Sequence, residues 1–134
     1  MNLYPMTKRK IHLEYPLGPV SGVILWNAIS TPTGLQTWMA EEVTVEEQTY
    51  TFHWSKEEER QALLTHRRNN SFIRFHWIDD EDAKSYFELR MEYNELTGDY
   101  TLLITDFVCD NEEEEELTDL WNIEVESLLR QCGM

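Results

Sequence analysis

Residues 111–132 read NEEEEELTDLWNIEVESLLRQC. At 100° per residue, Leu117, Leu120, Trp121, Val125, Leu128, Leu129 and Cys132 fall on one half of a helical wheel. Glu115, Asp119, Asn122, Glu126 and Arg130 fall on the other half, so one face of this helix has to be buried. Its ends are marked too. Asn111 is placed to cap the first turn with Glu114 as capping-box partner, Glu112 to Glu116 suit the positive end of the helix dipole, and Arg130 and Gly133 suit its close. From about Val43 to Cys109 the chain reads as short strands, which predicts an α+β architecture: one long C-terminal helix laid across an antiparallel sheet.

Working back from that helix, Tyr100 to Val108 reads as the last strand, although Leu102 and Ile104 oppose Leu103 and Phe107 and leave its phase open. Asn94 to Asp99 is a hairpin turn in which Gly98 is free to take a positive φ. Phe87, Leu89, Met91 and Tyr93 alternate with Tyr86, Glu88, Arg90 and Glu92, the period-2 pattern of a half-buried strand. Further strands are expected at Ile73 to Trp77, Arg60 to Arg67, Tyr50 to Trp54, and Val43 to Val45. At the start, Ile11, Leu13, Tyr15 and Leu17 alternate with polar residues until Pro16 and Pro19 stop the strand. A helix through Val20 to Ile29 follows, and then Thr31 as cap and Pro32 at the first position of a second short helix carrying Leu35, Trp38 and Met39. The expected order is β-α-α-β-β-β-β-β-β-α.

This order, together with Trp26-Asn27-Ala28-Ile29-Ser30-Thr31-Pro32-Thr33-Gly34-Leu35-Gln36-Thr37-Trp38-Met39, resembles the START-like superfamily of helix-grip folds, also called birch-pollen-allergen-like or SRPBCC. The segment has the aromatic before a small residue, the Ser/Thr-x-Pro break and the Leu-x-x-Trp of members related to the chaperone ATPase activator. Tyr50 to Trp54, Leu102 to Phe107 and Leu117 to Leu128 fall where that branch has its early hairpin, last strand and terminal helix. The resemblance runs from about Lys10 and is nearest to small bacterial stand-alone proteins of this kind. It implies a curved sheet gripping the last helix, often around an apolar cavity that admits lipid-like or polyketide-like molecules. It implies no single chemistry, because the fold hosts carriers, cyclases and co-chaperones alike.

The 134 residues are expected to form one domain, with residues 1 to about 9 as an N-terminal extension in which Met6 could equally be the start. Twenty-six acids against 11 bases give a net charge of −15, which sets the chain against nucleic acid and anionic lipid; a neutral ligand or a basic protein partner stays compatible. No segment approaches the apolar length of a membrane span, so no membrane insertion is expected. Two cysteines without CxxC spacing, Cys109 and Cys132, support neither a zinc site nor a disulfide framework. The expectation is a cytoplasmic, reduced protein without cofactor or metal. The acidic runs Asp79 to Asp82 and Glu112 to Glu116 lack the spacing of a calcium loop and read as a solvated turn and a helix start.

In a helix-grip fold the aromatic set converges between sheet and helix. Trp26, Trp38, Met39, Phe52, Trp54, Phe75, Trp77, Phe87, Met91, Trp121, Val125 and Leu128 are therefore the residues expected to line a ligand cavity or to fill it. Strand phase puts His12, His53 and His76 on the outer face. His66 could point inward if Ala62 and Leu64 mark the core side of their strand, and Asp106 could do so if Leu102 and Ile104 do. A carboxylate buried at Asp106 would need a partner such as Arg90 or His66. No catalytic triad, phosphate loop or HExxH is present, and no catalytic residue is assigned. The leading expectation is a non-enzymatic domain binding a small hydrophobic molecule. A protein-interaction module with a filled core, or a cyclase- or dehydratase-type enzyme using His66 and Asp106, are the alternatives.

Overall fold

The strands are β1 (Arg9–Gly18), β2 (Glu42–Glu46), β3 (Thr49–His53), β4 (Glu59–Arg68), β5 (Phe72–Trp77), β6 (Phe87–Asn94) and β7 (Asp99–Val108). Helices α1 (Gly22–Ser30) and α2 (Pro32–Leu35) follow β1, and α3 (Asn111–Gln131) closes the chain, which is the order expected from the sequence. A computed structural model describes residues 7–132; Met6 as a possible start, most of the expected N-terminal extension and Gly133 lie outside the described residues. All seven strands form one curved sheet in the order β1-β7-β6-β5-β4-β3-β2, each pair antiparallel. β1 and β2 are the two edges, so α1 and α2 carry the chain from one side of the sheet to the other. α1 touches β5 and β6, while α3 lies against β1 and β7. Among the described residues no helix is long and apolar enough to cross a membrane.

The pairing of β1 with β7 settles the phase that the sequence left open. Ile11, Leu13 and Tyr15 stand opposite Asp106, Ile104 and Leu102, and Leu102 and Ile104 are buried, so Asp106 shares their face beneath α3. Leu103 and Phe107 take the outer face. β1 also runs through Pro16 to Gly18, with a register shift between them, instead of stopping at Pro16. An edge strand tolerates a proline because its missing N–H need not reach a neighbour. Tyr93, expected to continue the buried set of β6, is exposed at the strand end and packs on Tyr100 with ring centroids 4.9 Å apart.

The α1–α2 corner follows its local sequence. Ser21 caps α1, Thr31 caps α2 by accepting from the Gly34 N–H at 2.9 Å, and Pro32 occupies the first turn. Trp38 Nε1–H donates to the Ala28 carbonyl at 2.8 Å and ties the corner shut. Gly34 is packed against the backbone of α1: a Cβ there would clash with the Asn27 carbonyl oxygen and come within 2.7 Å of the Ala28 Cα. Gly34→Ala is therefore expected to destabilise the chain by about 1–3 kcal/mol in urea unfolding, as overpacked sites do. A loss below roughly 0.5 kcal/mol would mean that this corner is loosely packed.

α3 departs from its reading in two details. Its cap is Asp110, whose carboxylate accepts from the Glu113 N–H at 2.8 Å; Asn111 is already helical and accepts instead from Arg9 at 2.6 Å. Asp110 has the extended backbone that a cap requires, and the capping pattern starts one residue earlier than Asn111 and Glu114 suggested. The buried stripe is also narrower than the half-wheel: Trp121, Val125 and Leu128 are buried, whereas Leu120 is 50% exposed.

Candidate functional site

The space between sheet and α3 divides into a filled part and an open one. In the filled part Phe52, Phe75 and Phe87 are fully buried, with Phe75 and Phe87 stacked at 5.1 Å between centroids and Phe52 edge-on to Phe75 at 6.2 Å. Trp26, Trp38, Met91, Val125 and Leu128 are buried with them. These eight of the residues expected around a cavity are core. Tight aromatic packing of this kind contributes directional contacts beyond the area it buries.

The open part lies under the first half of α3. A pocket of about 310 Å³ is bounded there by Met39, Trp54, Trp77, Leu117, Leu120 and Trp121, with Glu58, Arg60, Asp106 and Glu124 as its polar residues. Its size is at the lower end of the roughly 300–1,000 Å³ typical of ligand sites. Each wall has a local cause. Trp54 follows β3 and is held by its Nε1–H donating to the Met39 carbonyl at 2.7 Å; Trp77 ends β5; Trp121 descends from α3. Trp54 and Trp77 stand 6.1 Å apart at 51°, and Phe87 backs both Trp77 (5.0 Å) and Trp121 (6.0 Å). Leu120 is exposed because it hangs over this space and not over packed side chains.

Asp106 lies at the pocket's base. The Trp121 Nε1–H donates to its Oδ2 at 2.9 Å and the Phe107 backbone N–H to its Oδ1 at 2.8 Å. Its partner is thus the indole of α3, not Arg90 or His66. Burial pushes its carboxyl up to about 6, against the pull of those two donors, which favour the ionised form. Glu124, one turn on from Trp121, is half-buried; burial, reinforced by the Asp106 charge, pushes it up to about 8. At neutral pH the two carboxyls therefore hold close to one negative charge, with Glu124 the proton holder. Arg60 and Lys8 draw the Asp106 carboxyl down from a distance without offsetting its burial. Asp79 engages Arg60 directly, through Nε at 3.0 Å and Nη2 at 2.7 Å, and this pairing draws the Asp79 carboxyl below its ordinary value.

His66 is not in the site. The pairing of β4 with β5 shifts register between Leu64 and His66, so Leu64 pairs with Phe75 and His66 with Arg74. One extra residue reverses the phase beyond it, and His66 stands exposed on the outer face while Arg67 swings over the Trp26 ring. His12 contacts Thr105 at 3.2 Å and His76 the Ser85 carbonyl at 2.8 Å, both on the outer side of the sheet. Glu58, Arg60, Leu117, Leu120 and Glu124 are the site residues that sequence reading missed, although the helical wheel puts Leu117 and Leu120 on the apolar face of α3. Glu124 did carry a signal: it lies three residues after Trp121 and four before Leu128, a charge inside the apolar stripe. Among the described residues no group of three His, Cys, Asp or Glu is placed to hold a metal ion.

The model of the START-like superfamily domain matches residues 6–134. Among solved structures, BfR322 from Bacteroides fragilis shares 54% identity over 95% of this chain and 93% of its own, with a TM-score of 0.67. An Aha1 dimer from Colwellia psychrerythraea matches at 13% identity over 92% of this chain and 96% of its own, with a TM-score of 0.77. CalU16 from Micromonospora echinospora matches at 13% identity over 92% and 64%, with a TM-score of 0.70. No curated protein matches the chain. A domain model spanning nearly the whole chain, met by a sheet that grips its last helix, places this chain in the START-like superfamily.

Proposed function

We propose that the chain is a single START-like domain that binds a small hydrophobic molecule between the sheet and α3, without covalent chemistry. The observation that carries this reading is the pocket of about 310 Å³ walled by Trp54, Trp77, Trp121, Met39, Leu117 and Leu120. Apolar walls with a few convergent polar groups are what small-molecule sites are made of. The volume favours a single short chain or a small ring system over a two-tailed lipid. The enzymatic alternative that joined His66 to Asp106 loses its geometry, since the two stand on opposite faces of the sheet. The interaction-module alternative draws on the filled half of the core, and it predicts a bare protein.

Native mass spectrometry of the protein purified from its own host, followed by denaturing extraction, tests the reading. One hydrophobic molecule per chain is expected in the wild type and none in Leu117→Trp, whose larger side chain occupies the pocket. A bare wild type that also gains no mass from added short-chain amphiphiles would overturn it.

A further inference from the structure

This inference rests on the pocket described above and adds the chemistry of what enters it. Glu58, Asp106 and Glu124 bring three carboxyls to its lining, from the turn before β4, from β7 and from α3, and Arg60 is the lining cation. Arg60 is already committed to Asp79, and the nearby Lys8 to Asp80 at 2.8 Å. Asp106 is nine-tenths buried and its two donors hold it in place on the pocket floor. No hydrogen bond or ion pair holds the Glu124 carboxyl among the described residues; its shift comes from burial and from Asp106 alone. Tyr15 of β1 is the other titratable group that feels Glu124, and its hydroxyl donates to Asn122 at 2.6 Å.

The aromatic walls suit the same charge sign. The Arg60 guanidinium sits 4.1 Å from the Trp77 ring centroid, so one tryptophan of this pocket already has a cation on its face. An anionic ligand would meet the Asp106 charge in a low-dielectric recess whose one lining cation, Arg60, is held by Asp79. A neutral one would leave that charge with only the more distant pull of Lys8 and Arg60.

We propose that the molecule this pocket takes is a hydrophobic amine in its protonated form, with its ammonium between the Asp106 and Glu124 carboxyls and its apolar part against Trp54, Trp77 and Trp121. Binding then draws the proton off Glu124, because an ammonium beside it favours the carboxylate. The uptake of one cation is matched by the release of up to one proton to solvent.

Octylamine, octanol and octanoate share a chain length and differ in head-group charge. Titrated calorimetrically at pH 7.2, octylamine is expected to bind at least tenfold more tightly than octanol, and octanoate more weakly than either. The octylamine enthalpy should differ between phosphate and Tris by the ionisation heat of the released proton, whereas octanol should show no such difference. In Glu124→Gln the preference for amine over alcohol should shrink severalfold and the proton release should vanish. Octanol binding as tightly as octylamine would overturn the amine assignment and leave the hydrophobic site standing; a tenfold amine preference without proton release would uphold the amine and overturn the displacement of a proton from Glu124. No binding of any of the three would overturn the site as well.

Discussion

Trp121→Ala is expected to lower the stability of the chain by about 3–5 kcal/mol, the range for removing a large buried ring. The indole is 4% exposed, packs 6.3 Å from Trp38 and 6.0 Å from Phe87 between ring centroids, and joins α3 to both the sheet and the α1–α2 corner. It is also the side-chain donor to Asp106, so its loss leaves the buried carboxyl with the Phe107 N–H alone. Trp121→Phe separates the two effects. That variant keeps much of the ring and removes the N–H, and its cost should be larger at pH 8, where Asp106 is charged, than at pH 5, where it is mostly neutral. Chemical unfolding at the two pH values reads this out. A cost for Trp121→Ala below about 1 kcal/mol would mean that the helix is not gripped through this residue.

Stability should fall as pH rises from 5 to 8.5. Asp106 and Glu124 both have folded values, about 6 and about 8, above their ordinary 3.8 and 4.5. The folded chain therefore holds more protons than the unfolded one through this window, and the slope of unfolding free energy with pH is negative. The stabilisation is fully present below about pH 4 and is lost as pH passes the two folded values. At 1.36 kcal/mol per unit, and allowing for relaxation around a half-buried Glu124, the pair accounts for about 2–5 kcal/mol over the window. Glu124→Gln isolates the larger part: it should gain about 2–4 kcal/mol relative to wild type at pH 8.5 and little at pH 5. Equal effects at both pH values would show that Glu124 is already ionised in the folded chain.

The elements were legible where local chemistry decides them. The apolar stripe of α3, the Thr31-Pro32 break and the Gly98 turn each depend on neighbours in sequence, and each formed where its residues called for it. Residues whose orientation depends on pairing were not. His66 does not take the inward side that the phase of Ala62 and Leu64 left open to it, because a single extra residue enters β4, and no residue type in Leu64-Thr65-His66 announces a bulge. Asp106 faces the helix because β1 pairs with β7 in one register, which Leu102, Leu103, Ile104 and Phe107 could not choose between on their own. Whether the aromatic set encloses space is a matter of volume: Phe52, Phe75 and Phe87 fill half of the interface, while Trp54, Trp77 and Trp121 stand around the remainder. Periodicity is blind to that difference.

The proposed seat of the small molecule is the space among Trp54, Trp77 and Trp121. The five tryptophans give five indole N–H resonances, three of which have defined partners here: Trp38 on Ala28, Trp54 on Met39 and Trp121 on Asp106. Nitrogen–proton correlation spectra recorded while octylamine is added read all five at once. The Trp54, Trp77 and Trp121 signals are expected to move together and saturate, with Trp26, on the filled side of the core, holding its position. Saturable shifts at Trp26 with none at Trp54 or Trp121 would place the ligand elsewhere and contradict the site; no shift at any indole with octylamine, octanol or octanoate would contradict it equally.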